Sequence, residues 1–243
     1  SPVIGNAKSN NALTIDIGQK NTISYDLGTM RSIGAWKGGF LDFSGTLHHR
    51  LRAGGLPSAR FDKIPGSDSW RWAWNGKAEN QAPDIFPKTV WPEDQLRYNG
   101  HYPHGQDTII SYSVQGREVL ESPKLEKIEE VAVVHHRLTI KPGGNQLELI
   151  VLDERPEIKG NSATAGFSKV WLQTDNKGLK FRTSDNGKLV LHIPASNKAI
   201  HLNVALAHDE SESTKNKRPS NQVTNLADKT KGGPRRWKST HTL

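Results

Sequence analysis

The chain has 243 residues and a formal net charge of +8, and it contains no cysteine. The lack of cysteine excludes disulfides, thiolate metal sites and cysteine nucleophiles within the chain. No apolar run approaches the roughly 20 residues that a membrane-spanning helix needs, so no membrane span is predicted. The positive charge favours acidic partners. No nucleic-acid-binding motif accompanies it, however, and nucleic acid is not predicted as a partner.

Three segments near the start of the chain show apolar and polar residues in alternation. Ala12–Ile17 and Thr22–Leu27 flank a turn that contains Gly18, which predicts two paired strands. The third segment, Gly28–Arg50, has Gly38-Gly39 in its middle, where a bulge or a close backbone approach is expected. Such a bend would aim the end of the segment into a cleft. The alternative is an ordinary core strand with a bulge.

The next stretch, Ala53–Glu93, is rich in proline and lacks periodicity, which predicts a long loop. It contains Trp70, Trp72 and Trp74 at every second position. In an extended backbone these three indoles would project from one face. If exposed, they would form a platform on which sugar rings stack. If buried, they would plug the loop onto the domain. Both interpretations are open at this point.

Short alternating segments continue through the rest of the chain, and several are joined by turn sequences such as Asp185-Asn186-Gly187. No long helical period occurs. These segments are Thr108–Val114, Glu118–Leu120, Val131–Ile140, Gln146–Leu152, Gly166–Gln173, Leu179–Thr183, Lys188–Ile193 and Ala199–Ala207. The pattern predicts an all-β fold, an antiparallel β-sandwich of jelly-roll or supersandwich-like form with a long Pro/Trp-rich loop. The predicted domain spans 1–208, and 209–243 is predicted to be a basic linker toward a missing following domain.

Candidate ligand contacts are aromatic and basic side chains of the Gly28–Arg50 segment and of the tryptophan stripe. They are Trp36, His48, Arg50, Trp70, Trp72 and Trp74. Tryptophan supplies a flat surface for a sugar ring, and the basic side chains supply hydrogen-bond donors.

Candidate catalytic residues are His101, Tyr102 and His104, which could form an acid–base set of the kind that polysaccharide lyases use. No catalytic motif supports this set. Neighbouring histidine pairs would allow one ligand each to reach a shared metal, but nothing in their spacing demands it. The sequence therefore predicts no metal and no cofactor.

Four blocks carry a family resemblance: Tyr25–Arg31, Trp36–Leu41, Tyr98–Gly105 and Glu118–Pro123. Together they resemble an uncharacterised β-rich domain at the N-terminal side of large secreted bacterial proteins. In those proteins the domain is followed by a β-propeller of the sorbosone-dehydrogenase type and a c-type haem domain, and Gly232–Trp237 resembles the lead-in to the propeller. The resemblance implies an extracytoplasmic (periplasmic or secreted) setting, carbohydrate-related chemistry and a chain that is a fragment of a longer protein.

The leading hypothesis is therefore a carbohydrate-binding or accessory module of a larger sugar-active protein. Its expected partners are a glycan or sugar and, by the resemblance, a propeller or cytochrome c domain of the same precursor. One alternative is an enzyme, a lyase or hydrolase that acts on polysaccharide or sugar through the His/Tyr set. The other alternative is a purely structural docking domain.

Overall fold

The computed structural model describes residues 11–41, 62–82, 90–211, 214 and 217–231, and the backbone alone of 3–4 and 7–8. Within these residues almost all regular structure is β-strand. In chain order the strands are β1 (Val3–Ile4), β2 (Ala7–Lys8), β3 (Ala12–Gly18), β4 (Asn21–Asp26), β5 (Arg31–Lys37), β6 (Arg71–Trp72), β7 (Leu96–His104), β8 (Asp107–Val114), β9 (Arg117–Ile128), β10 (Val131–Ile140), β11 (Leu147–Leu152), β12 (Glu157–Lys159), β13 (Ser162–Ala165), β14 (Ser168–Thr174), β15 (Lys180–Thr183), β16 (Leu189–Ile193) and β17 (Ile200–His208). Two short 3-10 helices occupy Trp74–Gly76 and Leu226–Thr230.

The strands of the described residues form antiparallel sheets. An eight-stranded sheet has the order β12-β13-β14-β17-β10-β9-β8-β7, and a four-stranded sheet has the order β15-β16-β11-β6. A three-stranded sheet, β3-β4-β5, and a small pair, β1-β2, complete the set. The fold is therefore all-β with antiparallel sheets, consistent with a β-sandwich, and the predicted fold class is confirmed.

The main core lies between the eight-stranded and the four-stranded sheet. Val134, Leu138 and Ile140 of β10 belong to the same buried cluster as Leu149 of β11 and Leu191 of β16. Because side chains alternate along a strand, these β10 residues share one face, the inner face. Burying an aliphatic side chain of this size contributes roughly 1.5–3 kcal/mol, so this layer stabilises the pairing of the two sheets.

The outer face of the eight-stranded sheet is also covered, because all ten residues of β10 are buried. Residues 217–231, which we call the C-terminal segment, lie across this face. Leu226 of the segment is fully buried against Ile109 and Leu120, and its amide donates to the Thr139 hydroxyl over 2.9 Å. The prediction of a linker after residue 208 is therefore wrong for 217–231, which pack on the domain. Residues 232–243 lie outside the described ones.

The described part of the predicted long loop is held by specific contacts. Trp36 forms an isolated antiparallel bridge with Lys63, and Arg71–Trp72 joins the edge of the four-stranded sheet. The Arg71 guanidinium also donates to both carboxylate oxygens of Asp153, at 2.8 and 2.5 Å. Sequence periodicity misses this order because most of the partners are distant in the chain. No helix among the described residues is long and apolar enough to cross a membrane.

Candidate functional site

Two indoles of the tryptophan stripe are sealed inside the protein. Trp70 is 2% exposed and Trp72 is 1% exposed. The Trp70 ring stacks on His136 with 3.9 Å between the ring centroids, and the Trp72 Nε1–H donates to the Tyr112 hydroxyl over 3.1 Å. Large aromatic rings remove the most apolar area from water when they fill the core. The hypothesis of an exposed platform is therefore wrong for these two residues, and the alternative of a buried plug is confirmed.

Trp74 and Trp36, the other candidate ligand contacts that the structure describes, do not meet at an opening either. Trp74 begins a 3-10 helix, which breaks the strand alternation, and it packs edge-on against Trp91 with 5.1 Å between the ring centroids. Trp36 is fully buried, and its Nε1–H donates to the carbonyl of Gly39 over 3.0 Å. This burial contradicts its prediction as a ligand contact. The predictions for His48 and Arg50 fall outside the described residues.

The predicted acid–base residues lie on β7, an edge strand of the eight-stranded sheet. His101, Tyr102 and His104 are all exposed. The His101 Nδ1 lies 2.7 Å from the Tyr98 hydroxyl, and burial raises the pKa of Tyr98. A general acid or base has to face bound substrate, usually in a cleft that excludes water. The catalytic assignment stays a prediction that this open placement does not support.

A carboxylate cluster is buried where the eight-stranded sheet meets the three-stranded sheet and β6. Glu121 of β9 is fully buried and accepts from the Tyr25 hydroxyl (2.9 Å) and the Tyr112 hydroxyl (2.6 Å). The His136 Nδ1 lies 2.9 Å from the same carboxylate. Burial, and then the charge of Glu121, hold the pKa of Tyr25 and of Tyr112 well above its usual range. Because each of these groups is sealed from solvent, the cluster joins elements of the fold and does not meet a ligand.

One groove among the described residues lies on the outer face of the eight-stranded sheet. We call it the outer groove. Its floor is formed by β12, β13 and β14, its volume is about 750 Å³, and its wall is formed by Asp209, Thr214, Lys217 and Arg218. Its lining includes the side chains of Lys159, Thr164, Phe167, Lys169, Trp171 and Arg218. Two aromatic rings and several cations therefore face one open space.

A narrower cavity continues from the outer groove beside Trp171, and we call it the inner pocket. Its volume is about 180 Å³, which equals about six water molecules at about 30 Å³ each. Lys159, Ser162, Trp171 and Arg218 line both spaces, and Asn161 and Gln173 are added in the inner pocket. The pocket thus combines one flat ring with hydrogen-bonding and charged side chains.

The Trp171 indole is half-buried. It packs against Val133, Ala205 and Ala207, a small apolar cluster on the outer face. The rest of the ring borders the outer groove and the inner pocket. Because its neighbours on β10 and β17 fix the ring, it presents a preformed surface instead of one that must be ordered on binding.

The wall of the outer groove is anchored by a buried aspartate. Asp209 accepts from the amide and the hydroxyl of Thr214, at 2.7 and 2.6 Å, and from the Lys169 Nζ at 3.2 Å. Burial raises the pKa of Asp209, but the hydrogen bonds from Thr214, Ser211 and Lys169 outweigh burial, so the pKa lies below its ordinary value. The ionised Asp209 therefore holds Thr214 beside Lys169 of β14.

The C-terminal segment is fixed to the same face by a second set of hydrogen bonds. Gln173 Nε2 donates to the carbonyls of Pro219 and Ser220, at 3.1 and 3.0 Å. Gln173 Oε1 accepts from the Gln222 amide over 3.0 Å, and the Ser220 amide donates to Glu126. These bonds hold the backbone directly after Arg218.

Neither Trp171 nor Arg218 was predicted from the sequence to be a site residue. Trp171 lies in a segment that was predicted correctly as a strand, Gly166–Gln173. Arg218 lies in the stretch that was predicted to be a linker. A tryptophan at the outward-facing position of an alternating strand segment, between Val170 and Leu172, was the one available signal. The fold-back of the C-terminal segment, which completes the groove, leaves no periodic pattern.

Among the described residues no group of three or more His, Asp or Glu side chains is placed to hold a metal ion. His135 and His136 lie on opposite faces of β10, as alternation requires.

Comparison with protein-family models gives a match to part of the chain. A model described as a domain of unknown function (DUF6797) matches residues 23–121. The matched stretch contributes Tyr25, Tyr112 and Glu121 to the buried carboxylate cluster, whereas the residues that line the outer groove come after it. A search among curated proteins gives no match. The domain that the chain is similar to therefore carries no assigned activity.

Proposed function

We propose that the protein is a carbohydrate-binding module and that the outer groove, with its inner pocket, holds the sugar. The observation that carries the proposal is the half-buried Trp171 ring, which borders both spaces. The C–H face of a sugar ring packs on an indole, and the sugar hydroxyls need nearby polar side chains. Asn161 and Ser162 supply such groups in the inner pocket.

The dimensions of the site support the same proposal. The outer groove, at about 750 Å³, lies within the range of about 300–1,000 Å³ that is usual for small-molecule sites. The inner pocket fits about one sugar ring, and the groove continues beyond it toward the exposed ring of Phe167, which is 54% exposed. An open groove with one narrow pocket suits a chain ligand of which one unit is held tightly.

Affinity electrophoresis through gels that contain neutral or acidic polysaccharides tests the proposal. We expect retardation by at least one polymer, and we expect Trp171→Ala to abolish it. Tyr102→Ala is the matched control, since Tyr102 is an exposed aromatic residue (44% exposed) that lies on β7 away from the groove. Because Trp171 also packs on the outer face, Phe167→Ala provides a second, more exposed groove variant. Retardation that survives both groove variants and is lost in Tyr102→Ala would overturn the placement.

The resemblance of the sequence extends the proposal to the setting of the module. We propose that it works outside the cytoplasm beside a sugar-oxidising β-propeller and a c-type haem domain. The support is the resemblance alone. Haem staining of the native polypeptide that an antibody to this chain recognises tests the link. A native polypeptide without haem, in a fraction that also lacks a haem-bearing partner, would contradict it.

A further inference from the structure

We infer that the ligand is an anionic glycan, and that Arg218 and Lys159 hold a carboxylate or sulfate group on the sugar ring that packs on Trp171. This inference rests on the proposed function and names the chemical class of its ligand. Both cations line the inner pocket and the outer groove, as Trp171 does. An anionic substituent of a ring in the inner pocket would therefore lie within reach of both.

Arg218 is the cation without an internal partner. Among the described residues it makes no ion pair or side-chain hydrogen bond, although it borders two cavities. The other cations of the groove are partnered. Lys169 donates to the buried Asp209 over 3.2 Å, and Lys217 pairs with Glu129. A guanidinium left open at the edge of a pocket is positioned to bind an external anion.

Lys159 is available to a ligand in spite of its ion pair. Its Nζ lies 2.8 Å from the Glu157 carboxylate, but the two side chains are 77% and 67% exposed. Ion pairs with this exposure are weak because water and salt screen them. An anion bound beside Trp171 can therefore pair with the Lys159 ammonium, because little free energy is lost when the ion pair with Glu157 breaks.

The Arg218 backbone is held in place before any ligand binds. The side-chain amide of Gln173 on β14 hydrogen-bonds to the carbonyls of Pro219 and Ser220 and to the backbone amide of Gln222. Glu126 on β9 accepts the Ser220 amide over 3.0 Å. Binding therefore has to order only the Arg218 side chain, and preorganisation of this kind increases affinity.

The chemistry of the guanidinium favours an oxyanion. Its planar fork of donors matches the two oxygens of a carboxylate or a sulfate, and such paired hydrogen bonds are stronger than neutral ones. The Trp171 ring and the polar groups of the inner pocket would bind the sugar itself, and the cations would select for its charge. A neutral glycan would leave the charge of Arg218 unmatched.

The experiment compares polymers that differ in charge alone. Polygalacturonate is run against its fully methyl-esterified form, and dextran sulfate against dextran, with single-stranded DNA as a separate arm. The protein variants are Arg218→Ala, Arg218→Lys and Lys159→Ala, and Lys177→Ala is the matched control because Lys177 is exposed and outside both cavities. Dissociation constants are measured by titration calorimetry, after far-UV circular dichroism has shown that each variant is folded.

We expect binding to polygalacturonate and not to its ester, with the affinity reduced roughly tenfold or more by Arg218→Ala, less by Arg218→Lys, and less than about twofold by Lys177→Ala. Selection of dextran sulfate over dextran with the same dependence on Arg218 supports the inference with sulfate as the bound group.

Three results would overturn the inference. Equal binding of acid and ester, with loss in Trp171→Ala but not in Arg218→Ala, leaves the carbohydrate module standing and removes its anionic ligand. Failure of every glycan removes the proposed function as well. Tighter binding of single-stranded DNA than of any glycan, dependent on Arg218, assigns the groove to nucleic acid.

Discussion

His135 and His136 are consecutive residues of β10, and each contacts a glutamate of β9 on its own face of the sheet. His135 Nε2 lies 2.9 Å from Glu126 Oε2 on the outer face, and His136 Nδ1 lies 2.9 Å from Glu121 Oε1 on the inner face. In both cases the glutamate is two positions from the residue directly opposite the histidine, a diagonal neighbour in the sheet. One dipeptide thus takes part in both the buried carboxylate cluster and the attachment of the C-terminal segment.

The Glu121→Ala variant should lose a large part of the stability of the fold. The substitution leaves the Tyr112 hydroxyl without its acceptor, and it leaves the Tyr25 hydroxyl and His136 Nδ1 with only their 3.1 Å contact to each other. A buried polar group without a partner costs roughly 1–3 kcal/mol, so we expect the free energy of unfolding in urea to fall by about 3 kcal/mol or more.

The matched control for that variant is Glu118→Ala on the same strand. The Glu118 side chain is 54% exposed and pairs only with the exposed Lys141. The loss should stay within about 1 kcal/mol, as is usual for exposed ion pairs. Equal losses in the two variants would show that the buried cluster contributes nothing specific.

The two buried tyrosines should resist ionisation until the protein unfolds. Burial and the nearby Glu121 raise the pKa of Tyr25 and of Tyr112 in the fold. A raised pKa means that the folded state keeps the proton, so the contribution to stability is present below pH 10 or so and is lost as the pH rises further. In an alkaline titration, two of the four tyrosines should gain phenolate absorbance only together with the loss of circular dichroism.

The variant Tyr112→Phe checks the assignment. It should remove about half of the delayed absorbance change, because one of the two late-titrating groups is gone. Phenolate absorbance from all four tyrosines in a protein that is still folded would contradict the buried cluster.

The sequence was sufficient for the strands because their signal is local. Val131–Ile140 was predicted with the boundaries that β10 has, and Thr108–Val114 differs from β8 by one residue. Alternation and turn residues encode such elements within a few positions. The role of the tryptophan stripe could not be predicted in the same way, because exposure of Trp70 depends on His136, which is 66 positions away in the chain.

The candidate site could not be predicted from the sequence for a related reason. Trp171 and Arg218 meet through hydrogen bonds between Gln173 and the backbone of Pro219 and Ser220. Every residue has a backbone carbonyl, so the sequence does not indicate which carbonyls accept from Gln173. Polar composition after residue 208 therefore predicted a linker where the structure has a packed segment.

Acid should loosen the C-terminal segment through His135. Asn203 Nδ2 donates to Gln173 Oε1 and lies 2.9 Å from His135 Nδ1, so this nitrogen accepts and the ring is neutral. Burial lowers the pKa of His135, and Arg137 adds to this effect, whereas Glu126 opposes it. Since the unfolded chain binds the proton first, this contribution to stability is present above about pH 6.5 and falls as the pH drops below that value.

Hydrogen exchange of the Ser220 and Gln222 amides measures this loosening, since both donate to side chains of the network. Protection should decrease as the pH falls below about 6.5, after correction for the intrinsic rate. His135→Gln, which cannot take up the proton, should abolish that pH dependence, and His104→Gln on the exposed edge strand should not. Protection that is independent of pH in the unmodified protein would exclude His135 as its cause.

Gly143→Ala should destabilise the fold by displacing Arg117. A Cβ at position 143 would lie 2.5 Å from the Arg117 Cγ and 2.9 Å from its Cδ, and these atoms cannot move without the guanidinium. Arg117 is 2% exposed and donates to the carbonyls of Lys141, Asn145 and Pro194, at 3.3, 2.9 and 2.9 Å. Overpacking of this kind costs roughly 1–3 kcal/mol, and the lost hydrogen bonds add to it.

The adjacent residue provides the control for this substitution. A Cβ at Gly144 would meet no atom within 4 Å, so Gly144→Ala should leave the urea midpoint nearly unchanged. A lower midpoint in Gly143→Ala alone would show that close approach to Arg117, and not the loss of glycine in this turn, sets the cost. If both variants unfold at the same urea concentration as the unmodified protein, Arg117 does not hold the three carbonyls in solution. Among the described contacts, the backbone bonds between Gly143 and Ser196 would then join the turns after β10 and β16.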